Sequence, residues 1–321
     1  MVFSIILLVI GLVILIAGGE IFVRGSASLA RKMKVSPIVI GLTVVAFGTS
    51  VAELVVNIFA ALQGAPDVAI GNILGSNIAN VLFVLGIGIL IRKITIKSGT
   101  AWKEIPLSIL AVVVLFIMGN DFLFSSGINK DILTRGDGLV LIGFFLIFLY
   151  YTYGLSKVEG EKDDVEVYSY LRTILYILFG LVGIILGGKL IVDNGVFIAS
   201  AMGVSELLIG VTVIAIGTSL PELVTVVISA YHGHDDLIVG NIVGSNIFNI
   251  LWILGLTSII TPININPLAN FDMIIAMSSM LLLFLFMFIG YRRHRYTLRR
   301  WQGLAFIFLY VLYIAYVVLR G

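Results

Sequence analysis

Apolar positions run in stretches of about twenty residues from one end of the chain to the other, separated by short polar connections. A helix of that length crosses a hydrocarbon core of about 30 Å, and none of the stretches shows the strict alternation of a barrel strand. Ten membrane-spanning helices are predicted, near residues 2–23, 36–62, 67–91, 104–120, 136–154, 171–194, 205–231, 236–260, 271–291 and 300–319. The one appreciable polar connection runs from Ser156 to Ser169, with KVEGEKDDVEVY at its centre, and is too short to fold as a domain.

The pattern repeats. Ser36 to Ile87 aligns without a gap with Ser205 to Leu256, setting GLTVVAFGTS against GVTVIAIGTS and GNILGSNIAN against GNIVGSNIFN. Val2 to Gly18, followed by small residues, has the look of a secretory signal. However, GGEIFVRGSASLARKMKV from Gly18 matches GGKLIVDNGVFIASAMGV from Gly187 at the same offset, so the first stretch is expected to belong to the mature fold. Each half holds five stretches, and an odd number makes equivalent helices cross in opposite directions. The expected fold is therefore an all-α membrane protein of ten transmembrane helices in two inverted five-helix repeats, residues 1–155 and 171–321, joined by a linker at 156–170.

Composition agrees: 60% of the 321 residues are hydrophobic and 12% charged, whereas a soluble globule carries about a quarter charged residues. With no cysteine, disulfides and thiolate metal sites are excluded. The net charge of +2 forms no nucleic-acid patch. Lys and Arg report topology instead. Sixteen of the twenty, including Arg24, Lys34, Arg92, Lys97, Lys157 and Arg299, fall on one side if the N-terminus is outside. Both termini of this multi-pass cell-membrane protein are thus expected to be extracytoplasmic, with the acidic linker in the cytoplasm.

Two of the eighteen acidic residues lie deep within a span: Glu53 in GTSVAE and Glu222 in GTSLPE, 169 positions on. Burying a carboxylate in a membrane costs at least about 3 kcal/mol, so compensating partners are expected. Thr49 and Ser50 precede Glu53 by four and three residues, and Thr218 and Ser219 stand likewise to Glu222, which puts hydroxyls on the carboxylate's face of the helix. Gly48, Gly217 and Pro221 weaken the helix locally, so the carbonyls of Ala46 and Ala215 are expected to turn toward a cavity. Ala52 stands where the second half has Pro221, which predicts a milder break in the first half.

In the following spans Ser76 and Asn80 share a face at i, i+4, as do Ser245 and Asn249, and Gly71, Gly75, Gly240 and Gly244 permit close helix approach. Asn77 and Asn246 point elsewhere and are read as structural. The set offers oxygen ligands only, without His or Cys, which suits a hard cation; two carboxylate charges match one Ca²⁺. Two carboxylates about 5 Å apart repel by roughly 3 kcal/mol at an effective dielectric of 20, so without Ca²⁺ the site is expected to take a proton or Na⁺. Nothing here resembles catalytic machinery, and no cofactor or obligatory protein partner is expected beyond the ions and the bilayer.

Other features are read more plainly. His232, His234, Asp235 and Asp236 form a solvated cytoplasmic connector rather than a metal site, and Glu20 with Arg24, like Lys189 with Asp193, forms an i, i+4 ion pair. Two of Trp102, Trp252 and Trp301 fit interfacial anchors.

The paired GTSxxE and GNxxGSNxxN segments resemble the α-repeats of the cation/calcium exchanger superfamily, specifically its sodium/calcium exchangers in prokaryotic form, over essentially the whole chain. The resemblance implies alternating access by sliding of the first and sixth helices, and ion ligands at Ala46, Thr49, Ser50, Glu53, Ser76 and Asn80 and at Ala215, Thr218, Ser219, Glu222, Ser245 and Asn249. It implies electrogenic antiport of three Na⁺ for one Ca²⁺. Asn249 stands where potassium-dependent relatives carry Asp, which leans toward K⁺ independence. Ile73-Leu74-Gly75 and Ile242-Val243-Gly244 lack the acidic residue usual in Ca²⁺/H⁺ exchangers. A Ca²⁺/H⁺ or K⁺-dependent antiporter is the alternative, and a passive cation channel with the same ring of oxygens a more distant one.

Overall fold

A computed structural model describes residues 2–62, 66–121, 131–157, 166–202, 215–289 and 296–319. The first expected span is a single helix, α1 (Val2–Met33), longer than the apolar stretch that announces it. It is followed by α2 (Pro37–Thr49) and α3 (Val51–Leu62), which meet at a bend of 45°. Next come α4 (Val68–Ile91), α5 (Ser98–Met118) and α6 (Arg135–Ser156). The second half holds α7 (Tyr170–Ala201), α8 (Ala215–Thr218), α9 (Leu220–His232), α10 (Asp235–Ile260), α11 (Pro267–Ile289) and α12 (Arg300–Leu319). The start of the seventh expected span, residues 205–214, lies outside the described residues, as do 158–165 of the linker and 290–295 of the basic segment. Among the described residues eight helices are long and apolar enough to cross a membrane, and the bent α2–α3 pair makes a ninth.

Helices α1 and α7 have 32 residues each, about 48 Å of helix, and must tilt or emerge from a core of about 30 Å. Arg24, Arg31 and Lys32 consequently lie on the helix rather than in a loop, the last two about two turns beyond the expected end at residue 23. The two long helices pack along each other. Gly11 meets Gly187, Gly18 meets Gly183, and Gly25 meets Tyr176 and Ile177, an order that makes the pair antiparallel. A Cβ at Gly180 would lie 2.6 Å from the backbone N of Phe22, so only glycine allows this approach. Near Met33 the pair is pinned by Ser28 Oγ and Thr173 Oγ1, 3.0 Å apart.

Helices α4 and α10 form the centre: 78% and 94% of their apolar stretches are buried, against 39% or less for the other long spans. In α10 the glycines decide the depth of packing, whereas their α4 counterparts Gly71 and Gly75 depart from expectation: among the described residues a Cβ on either would meet nothing within 4 Å. Gly240 lies against Gly41 of α2, and a Cβ at Gly244 would lie 2.7 Å from that of Ala46. Each central helix widens into a π segment, Asn80–Leu85 and Phe248–Leu254, beginning at or beside the expected asparagine ligand.

Two short antiparallel strand pairs, which the helical pattern did not announce, join loops far apart in sequence. Strand β1 (Ile94–Ile96) pairs with β4 (Tyr296–Leu298), setting Thr95 opposite Thr297. Strand β2 (Ile132–Leu133) pairs with β3 (Ile263–Asn264). Backbone groups at the end of a span have little water to bond, and pairing satisfies them.

Beside β1, Arg92 approaches Asp235 to 3.3 Å and Lys97 approaches Asp236 to 2.8 Å, while the backbone N of Thr95 donates to Asp235 at 2.9 Å. His232 Nε2 lies 2.8 Å from Glu20 Oε1, which also accepts from Arg24 at 2.6 Å. The expected solvated connector is therefore a half-buried, ion-paired junction at the left-handed Gly233 (φ 83°). The Glu20–Arg24 pair is as expected. Lys189 and Asp193 are both exposed, and no pair between them is seen among the described residues.

Candidate functional site: two buried carboxylates between broken helices

Helix α2 stops at Thr49 and α3 starts at Val51, so Ser50 is the break, with φ −83° and ψ 9°. Ser219 breaks the second half between α8 and α9 with φ −91° and ψ 5°. The two breaks have nearly the same backbone, so the absence of proline at Ala52 does not soften the first one at this residue. The reason lies in position. Pro221 occupies the first turn of α9, where the backbone N–H has no intrahelical partner to lose.

Each break places a glutamate in the first turn of the limb that follows, Glu53 in α3 and Glu222 in α9. There the unpaired N–H groups and the positive end of the helix dipole favour a negative charge, which offsets part of the cost of burial. That cost is real, since both side chains are 0% exposed. Sequence spacing puts the Ser50 hydroxyl on the face of Glu53, but it instead donates across the repeat boundary to Glu222 Oε1 at 3.3 Å. Ser245 donates to the same oxygen at 3.4 Å, and Ser76 donates to Glu53 Oε1 at 3.4 Å. All three contacts are long for O–H···O bonds, whose usual range ends near about 3.0 Å. The two carboxylates are close enough to interact electrostatically.

Thr49 Oγ1 lies 3.0 Å from Asn241 Oδ1, to which it donates, and 3.4 Å from Ser245 Oγ. The Ala46 carbonyl differs from expectation: it accepts from Ser50 N at 3.0 Å, so the break does not free it, and Thr49 Oγ1, whose proton goes to Asn241, lies 3.3 Å away. Ala215 opens α8, and Thr218, in the same helix, is half-buried. Ser219 is buried, and its Oγ has no partner among the described residues.

Asn80 and Asn249 are buried and each uses its amide nitrogen: Asn80 Nδ2 donates to Asn246 Oδ1 at 3.0 Å and Asn249 Nδ2 donates to Asn77 Oδ1 at 2.9 Å. Their Oδ1 atoms have no partner among the described residues, and neither do Glu53 Oε2 and Glu222 Oε2. Four buried oxygens, all acceptors and placed symmetrically in the two halves, remain without a donor. Leaving each one so costs about 1–3 kcal/mol, an arrangement that a cation repays. Among the described residues no three His, Asp or Glu side chains cluster, so the negative charge is that of two carboxylates surrounded by neutral oxygens. Such a donor set fits one Ca²⁺, or Na⁺ ions in its stead.

Asn241 is a participant that the sequence reading passed over, although it lies one turn before Ser245 within the repeated GN segment. Its counterpart Asn72 donates to Asn57 Oδ1 at 3.3 Å.

Comparison with known proteins bears on the fold and the family. The model of the family described as sodium/calcium exchanger protein matches residues 3–154 and 172–319. The putative antiporter CaxA of Alkalimonas amylolytica is 42% identical over 267 residues, covering 80% of this chain and 81% of its own length. The sodium/calcium exchanger MaX1 of Methanosarcina acetivorans is 30% identical, with 96% of both chains covered. The crystal structure of the sodium-calcium exchanger NCX_Mj, soaked with Na⁺ and Sr²⁺, superposes with a TM-score of 0.83 at 33% identity over 98% of each chain. The helices, the family match and the superposition together lead to one conclusion: the chain is a multi-pass membrane protein of the sodium/calcium exchanger family.

Proposed function

We propose that the protein is a secondary active antiporter that exchanges Na⁺ for Ca²⁺ across the cell membrane by alternating access, electrogenically and without K⁺. The observation that carries the reading is the set of four unsatisfied acceptor oxygens, Glu53 Oε2, Glu222 Oε2, Asn80 Oδ1 and Asn249 Oδ1. Two negative charges limit what the site can hold. One Ca²⁺ neutralises them, Na⁺ competes for the same oxygens, and that competition couples the two ions. If three Na⁺ replace one Ca²⁺, each cycle moves one net charge. The neutral amide at Asn249 favours independence from K⁺, as in the resemblance drawn from the sequence.

The architecture belonging to this reading is ten spans in two inverted five-helix repeats, residues 1–155 and 171–321, linked at 156–170. The strand pairs support the tenth span. Paired strands lie on one face of the membrane, so an even number of crossings separates them. Between β1 and β4 stand α5, α6, α7, α10 and α11, and between β2 and β3 stand α6, α7 and α10. Both counts are odd, and both become even if the stretch ending in α8 and α9 crosses as well. The antiparallel α1–α7 pair supports the inversion, because helices equivalent by the 169-residue offset then run in opposite directions. The basic residues around β1 and β4 support a cytoplasmic position for that face, with both termini outside.

The test is ⁴⁵Ca²⁺ uptake into proteoliposomes loaded with Na⁺, K⁺ or neither at matched internal pH. Uptake that requires internal Na⁺, ignores K⁺ and slows when the interior is made negative, as net exit of positive charge demands, supports the reading. Uptake driven by a pH gradient would make the coupling ion a proton, and uptake without any counter-ion would make the protein a channel.

A further inference from the structure

We propose that Asn77 and Asn246 are positioning residues that decide which end of the Asn80 and Asn249 amides faces the ion, each repeat orienting the ligand of the other. The inference rests on the cation site proposed above and adds a role for two side chains that have no place in that ligand set.

The argument follows donors and acceptors from the backbone outward. A backbone carbonyl can only accept. Asn77 Nδ2 lies 3.2 Å from the carbonyl of Asn246, and Asn246 Nδ2 lies 3.4 Å from the carbonyl of Asn77. Each amide must therefore turn its nitrogen to the facing backbone, and its oxygen is left on the other side. That oxygen receives the next amide: Asn246 Oδ1 accepts from Asn80 Nδ2 at 3.0 Å, and Asn77 Oδ1 accepts from Asn249 Nδ2 at 2.9 Å. Flipping Asn80 or Asn249 would set oxygen against oxygen. So polarity passes from a carbonyl that cannot donate, through an orienting asparagine, to a ligand asparagine whose Oδ1 is left unpartnered and buried. The relay assigns oxygen and nitrogen from the network itself, without reference to hydrogen positions.

The bonds are reciprocal. Asn77 and Asn246 occupy equivalent places in the two repeats, and the whole figure maps onto itself when the halves are exchanged. All four side chains are at most 1% exposed, so water offers little competition for these donors. A plain packing role for Asn77 and Asn246 would leave the direction of the ligand amides unspecified, whereas this arrangement excludes the direction in which two N–H groups would face a cation.

The test uses the fact that a carboxylate has two equivalent oxygens and hence no wrong end. Ca²⁺ binding to the purified full chain is measured by isothermal titration for wild type, Asn246→Ala, Asn80→Asp and the double variant, and for Asn77→Ala with Asn249→Asp as the mirror cycle. Asn246→Leu, close in size, replaces the alanine variant if the latter does not fold. Asn246→Ala is expected to weaken Ca²⁺ binding about tenfold when residue 80 is Asn, comparable to the loss of one net hydrogen bond, and not to weaken it when residue 80 is Asp. Equal losses in both backgrounds would overturn the orienting role while leaving the exchanger reading intact. A wild type that binds no Ca²⁺ would overturn both.

Discussion

The hydroxyl of Ser50 donates to Glu222 Oε1 at 3.3 Å, so a side chain from one half of the molecule serves the carboxylate of the other. Ser50 stands three residues before Glu53, and along the sequence Glu53 is its natural partner. The crossing contact means that the second half does not complete the surroundings of its own carboxylate.

This relationship sets an expected coupling. In a thermal unfolding cycle in detergent without Ca²⁺, Ser50→Ala and Glu222→Gln should be non-additive by about 0.5–1.5 kcal/mol, while Ser50→Ala and Glu53→Gln should be additive within about 0.5 kcal/mol. The reverse pattern would place Ser50 on its own helix as a cap.

Ala52→Pro should be tolerated. Residue 52 is in the first turn of α3, as Pro221 is in α9, and the residues at the two breaks share their backbone angles. The substitution removes an N–H that lacks an intrahelical acceptor and restricts the unfolded chain, which stabilises by about 0.4–1 kcal/mol when no strain follows. A loss above about 2 kcal/mol in the melting transition would show that the Ala52 N–H has a partner that proline denies it.

The two strand pairs should lie on opposite faces of the membrane. The chain has no cysteine, so single introductions report cleanly. Lys93→Cys beside β1 and Asn264→Cys in β3, both at exposed positions, should react with an impermeant thiol reagent from the cytoplasmic and the external side respectively. Labelling of both from one side would remove the tenth crossing and with it the inverted repeat.

How far the sequence carries the reader differs from feature to feature. The repeat, the two buried carboxylates and the serines and asparagines around them are legible because each departs from an otherwise apolar stretch. Helix α1 runs ten residues past its apolar signal because Arg24 and Arg31 continue a helix as well as leucine does once it has left the bilayer. Strands of two or three residues carry no periodic pattern. The Asn77 and Asn246 relay was hidden for another reason: spacing tells which side chains share a helix face, whereas their partners come from the other repeat and are set by packing. Proline at 221 was a local cue that proved unnecessary for the backbone angles of the break itself.

The central claim is that Glu53 and Glu222 form a single charge-limited site for which Ca²⁺ and Na⁺ compete. Isothermal titration of Ca²⁺ into the purified protein, repeated at rising Na⁺ with Li⁺ or choline holding ionic strength, tests it directly in wild type, Glu53→Gln and Glu222→Gln. The expected result is one Ca²⁺ per chain, an apparent affinity that falls as Na⁺ rises, and a loss of at least about a hundredfold in either variant, as follows when one of two charges is removed from a buried site. Wild-type affinity in either variant, or Ca²⁺ binding indifferent to Na⁺, would contradict the account.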